Sequence, residues 1–151
     1  MNKHSNRCMW ACAALVFAAA TWLGGPAEAR PSPPPTTLRG VMVELQDVYL
    51  RLAQALFYDD YASMERLAKE VEAHPMPPGL VVAIKARLGS RFPGFERADE
   101  ETHAAAAELA RRAAAKDPAG SAKALGRLAQ SCVACHAQYR PALRALADRS
   151  Y

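Results

Sequence analysis

Between Thr37 and Phe57 the apolar residues Leu38, Val41, Met42, Leu45, Val48, Tyr49, Leu52, Ala55 and Leu56 recur at spacings of three and four. Such a pattern makes a stripe on one side of an α-helix but scatters over both faces of a strand. It therefore dictates a helix, and it demands partners to cover the stripe. Thr36 or Thr37 supplies the N-cap. Asp59-Asp60 interrupts the pattern and caps a second helix running to about His74, with Tyr61, Met64, Leu67, Ala68 and Val71 facing inward. The prolines of "HPMPPG" end it, because proline removes a donor and restricts the residue before it. "LVVAIKARLG" reads as a short helical segment and "SRFPGF" as a loop. A third long helix is expected over about Glu96–Ala115, rich in alanine and acidic in its first turns, which suits a helix N-terminus. After "DPAG" the last helix covers about Ala119–Tyr139, with Pro141 kinking or ending it. No useful stretch alternates with the period of a strand. Amphipathic helices joined by short connections predict an all-α chain folded as an antiparallel four-helix bundle.

Ahead of the bundle lies a segment of another kind. "MNKHSNR" is basic, Met9–Leu23 is apolar apart from Thr21, and Ala27 and Ala29 form an A-x-A arrangement. This is the layout of an export signal cleaved after Ala29. The apolar run is 15 residues, and a membrane span needs about 20, so no membrane anchor is expected. Residues 1–29 are thus read as a cleaved signal, 30–36 as a proline-rich flexible lead-in, and 37–151 as one helical domain. The expected location is the periplasm. Lysine and arginine together number 19 against 15 acidic residues. The basic residues are spread along the chain, so nucleic acid is not an expected partner.

Removing the signal takes Cys8 and Cys12 with it. Cys132 and Cys135 remain, in "CVACH", ending 15 residues before the C-terminus. On a helix Cys132, Cys135, His136 and Tyr139 stand at i, i+3, i+4 and i+7 and share one face, expected to point into the bundle core. C-x-x-C-H is the attachment motif of haem c. Each thiol adds across one vinyl group, and the adjacent imidazole then lies under the ring to bind iron. A thioredoxin-like redox pair is the competing reading, but it wants a strand before the motif. A structural zinc site needs four ligands, and the remaining histidines, His74 and His103, are isolated in the sequence. The cofactor expected is one covalent haem c, held by Cys132 and Cys135 with His136 on the iron.

"CVACHAQYR" also carries a family resemblance. C-x-x-C-H followed by two residues, an aromatic and an arginine, near the end of a helical chain resembles the cytochrome c-prime / cytochrome c556 family, the class II c-type cytochromes. "ALFYDDY", "VEAHPMPP" and "DEETHAAAAELA" look like the same layout. The resemblance implies haem attached on the last helix of a four-helix bundle, with His136 as the proximal ligand and a residue of the first helix on the opposite face. In low-spin members that residue is methionine. Of Met42, Met64 and Met76, only Met42 lies on the first helix, which makes it the expected distal ligand. Arg39 shares its face and is a candidate partner for a haem propionate. Tyr139 and Arg140 are candidate haem contacts.

The resemblance implies electron transfer or gas binding. A six-coordinate His136/Met42 iron suits one-electron exchange with periplasmic redox proteins. An open distal site would suit NO or CO. With no acid–base constellation and no phosphate loop, an enzyme is not expected. Either a monomer or a homodimer is compatible with the sequence, the wide stripe of the first helix being the candidate dimer surface.

Overall fold

The structure, a computed structural model, describes residues 35–150, all within the compact unit Pro33–Tyr151. The expected signal and the first part of the lead-in lie outside the described residues. Five α-helices follow in order: α1 (Leu38–Phe57), α2 (Tyr61–Glu72), α3 (Pro78–Leu88), α4 (Phe92–Ala114) and α5 (Pro118–Leu143). Two 3-10 turns, Gly89–Arg91 and Arg144–Leu146, complete them, and no strand occurs among the described residues. The chain is an all-α four-helix bundle of α1, α2, α4 and α5, with α3 as the connection between its second and third members.

Local chemistry sets the helix starts. Thr37 caps α1 by accepting from the Gly40 amide at 3.0 Å, and Asp60 caps α2 by accepting from Ser63 at 3.0 Å. Asp117 does the same for α5 from Gly120 at 2.9 Å, with Pro118 in the first turn, where its missing N–H costs nothing. The tight α1–α2 and α4–α5 turns each use a residue with positive φ, Asp59 at 53° and Lys116 at 52°. Such turns make chain neighbours antiparallel. α1 and α5 are antiparallel too, since the start of α1 meets the end of α5, where the Arg39 amide donates to Ala147 at 2.8 Å.

Two expectations from the sequence need correcting. "SRFPGF" is not a loop: α4 begins at Phe92, because Gly89 ends α3 with φ 55° and Pro93 falls in the first turn of α4, a position proline tolerates. The acidic run from Glu96 to Glu101 consequently lies beyond that first turn. Of the two expectations for Pro141, kinking or ending the last helix, it is the ending that is overturned, since α5 runs on to Leu143. Carbonyls around the proline are taken instead by arginines: Arg91 donates to Gln138 at 2.8 Å and Arg87 to Ala142 at 2.9 Å.

Packing divides the interior into two clusters. One joins Leu52, Met64, Leu67, Leu109 and Leu128 with alanines of α4 and α5 toward the α1–α2 turn. The other joins Leu38, Leu80, Ile84, Phe92, Tyr139 and Leu143 at the opposite end. α2 and α4, and α4 and α5, pack along their lengths, whereas α1 touches α5 sparingly. Ala106, Ala110 and Ala113 are buried on α4 and let its neighbours come close. On its outer side α1 exposes Val43, Leu50 and Phe57 at seven-residue spacing. Among the described residues no helix is long and apolar enough to cross a membrane.

Candidate functional site

The boundary between the two clusters falls at "CVACH" on α5. Cys132 packs against the first cluster and Cys135 against the second. Both are half-buried free thiols. Burial pushes both up: Cys132 lies above its ordinary value, and Cys135 is raised to about 11 by burial, then by the charge of Asp99 and by Cys132. Thiols in this setting hold their protons at neutral pH. Across the α1–α5 seam stands Tyr49, also half-buried, whose phenol is raised by burial and by Cys132.

Met42 and His136 meet across the same seam. Met42 Sδ lies 3.5 Å from His136 Nε2. The expectation that the whole motif face points into the core needs correction: Tyr139 is 2 % exposed and the thiols are half-buried, but His136 is exposed. The cause is which helix lies opposite: α1 brings Met42 to His136 at the edge of that face. Met64 is fully buried in the first cluster, and Met76 packs on the second. Met42 is therefore the methionine that the structure brings to the imidazole.

The other candidates fall into two groups. Tyr139 sits behind the motif, with its ring edge-on to Phe95 at 5.5 Å and the Arg91 guanidinium over its face at 5.5 Å. A Cβ at Gly94 would come within 2.6 Å of the Tyr139 hydroxyl, so glycine is what lets the tyrosine seat. Arg140 is exposed. Arg39 is bound elsewhere: its guanidinium makes a two-point ion pair with Asp148, the Nη2–Oδ2 arm at 3.0 Å. That pair competes with any role toward a propionate.

Sequence reasoning missed one grouping. His74 and His103, isolated in the sequence, stack in the structure with ring centroids 4.7 Å apart and planes 5° from parallel, beside Asp99. Asp99 and His103 at i and i+4 were a legible pair. His74 joins them only because α2 packs antiparallel to α4.

The donor chemistry fits haem c. Two neighbouring thiols flank a break in the apolar core, an imidazole follows them, and a soft thioether stands opposite. A family model described as Cytochrome C' matches residues 54–140, more than half of the chain. The chain belongs to the cytochrome C' family. Membership implies a covalently bound haem c. The matched segment takes in Cys132, Cys135 and His136 and leaves out Met42, which rests on geometry alone. No curated protein and no solved structure gives a match.

Proposed function

We propose that this cytochrome C' family member is an exported, periplasmic monohaem protein that passes single electrons between redox proteins. In this reading His136 and Met42 would hold the haem iron. The observation that carries it is the 3.5 Å approach of Met42 Sδ to His136 Nε2. Bound haem supplies the one-electron couple. The chain's residues do the rest. Cys132 and Cys135 tether the group through thioether bonds, which leaves no free thiol to oxidise in an oxidising compartment. An imidazole and a thioether are both neutral donors, and this pairing raises the reduction potential. Leu45, Val48 and Tyr49 on α1 are half-buried and pack on the same cluster as Cys132.

A second reading, a high-spin protein that binds NO or CO, is favoured by the family match itself. Optical spectra of the haem-loaded protein separate the two. The electron-carrier reading expects sharp, split ferrous bands, a weak long-wavelength ferric band and no response to CO, with Met42→Leu converting the protein to a CO-binding form. A broad ferrous spectrum in the native protein that sharpens with CO overturns it. Covalent attachment has its own check: haem that extracts into acid acetone would exclude thioether bonds at Cys132 and Cys135.

A further inference from the structure

Three metal-ligating side chains converge away from "CVACH", where α2 ends against α4. His74 follows Ala73, the C-cap of α2, and its Nδ1 donates to the Val71 carbonyl at 2.8 Å. His103, on α4, donates from Nδ1 to the next carbonyl, that of Glu72. A carbonyl oxygen only accepts, so both Nδ1 atoms carry the proton. That leaves Nε2 of each ring as the atom available to a ligand. Both face one carboxylate: Nε2 of His74 is 4.0 Å from Asp99 Oδ1, and Nε2 of His103 is 3.4 Å from Asp99 Oδ2.

We propose that His74, Asp99 and His103 form a binding site for a divalent transition cation of the zinc type. Two imidazole nitrogens and one carboxylate oxygen are a familiar three-residue donor set, with a remaining position for water. The three ligand atoms lie within 4.8 Å of one another. A tetrahedral ion with arms of about 2.0–2.2 Å sets its ligands about 3.4 Å apart, and one imidazole must turn out of the parallel stack to aim both Nε2 atoms at it. The backbone carbonyls on both Nδ1 atoms are the outer-shell partners that fix tautomer and ring direction in metal sites. His74 is nearly buried, its side chain 9 % exposed, while Asp99 and His103 are about one-third open. The site thus has a rigid back and a solvent-facing entrance. None of the three residues is a candidate haem ligand, although the charge of Asp99 is felt at Cys135.

The test is calorimetric titration of tag-free, haem-loaded protein with zinc chloride. Thioether formation removes both described thiols from competition. One equivalent of zinc per chain is expected, together with a rise in unfolding midpoint, since a ligand that binds only the native state stabilises it. Asp99→Asn, which keeps the side-chain shape, and His103→Ala should each weaken binding by about tenfold or more and remove the rise. No binding at about 1 mM zinc, or an equivalent that persists at full affinity in both variants, overturns the proposal. Asp99→Asn, being isosteric, keeps the test decisive should His103→Ala fold poorly.

Discussion

The seam between α2 and α4 and the seam between α1 and α5 belong to one bundle, yet they are built differently. The first is closed by small side chains: Ala68 meets Ala106, Ala110 and Ala113 in a cluster filled out by Met64, Leu67 and Leu109, all buried. On the second, Met42 and Tyr49 of α1 face α5 and are only half-buried. There α1 touches α5 sparingly, while Leu38 at one end of α1 and Leu52 toward the other are covered. All four members of the candidate haem site, Met42, Cys132, Cys135 and His136, stand on the second seam. Stability is concentrated where the helices pack closely, and chemistry where they touch sparingly.

The largest effect expected from this contrast is energetic. Leu109→Ala removes a fully buried side chain from the closed seam and should cost about 2–5 kcal/mol, with or without haem. Met42→Ala, on the α1–α5 seam, should cost less than half as much in the chain without haem, because its side chain is only half-buried. Urea unfolding of both variants measures the difference. Equal costs would mean that the two seams carry the fold alike.

A smaller effect separates the seams by pH. In the chain without haem the two thiols are raised in the folded state, Cys135 from an ordinary value near 9 to about 11. Below about pH 9 both states keep these protons, so the thiols leave stability unchanged. Above it the unfolded chain releases them first, and stability falls as pH rises, levelling once the folded thiols have also ionised near pH 11. The Cys132→Ser/Cys135→Ser double variant should lose that slope relative to the parent chain. So should the haem-loaded protein, whose thioethers do not titrate. A slope unchanged by the double variant would place the thiols in water and the seam open to solvent.

Much of this contrast was readable beforehand, and the unreadable part has a physical cause. Helical phase is local, so the stripes on α1 and α2, the Thr37 and Asp60 caps and the placing of both thiols on one face of α5 all follow from spacing. The start of α4 was misplaced because Phe92-Pro93-Gly94 carries the composition of a loop, whereas proline in a first turn is permitted. The run of α5 through Pro141, beside carbonyls of Gln138 and Ala142 that accept from Arg91 and Arg87, is announced by no local pattern. The burial of Tyr139 beside an exposed His136, and the stacking of His74 on His103, are set by which helix lies opposite. Those are tertiary facts, and one sequence does not contain their register.

The smallest predicted effect concerns the end of the α1–α5 seam. Arg39 and Asp148 tie the start of α1 to the residues after α5, with the guanidinium holding the Asp148 carboxyl below its ordinary value and the carboxylate holding Arg39 up. Their side chains are 64 % and 70 % exposed, so water and salt screen the attraction and the pair stabilises little. What stability it gives is present above the ordinary carboxylate range and fades as pH falls through the lowered value, since the unfolded chain takes up the proton first. Asp148→Asn should therefore shift the unfolding midpoint only slightly near neutral pH, and the shift should vanish in high salt. Arg39→Gln should match it and leave the optical spectrum and reduction potential of the haem-loaded protein unchanged, because the guanidinium faces Asp148. A clear change of potential in Arg39→Gln, absent from Asp148→Asn, would show the arginine serving the haem. The α1–α5 seam would then be held at that end by its cofactor and not by the chain's own ion pair.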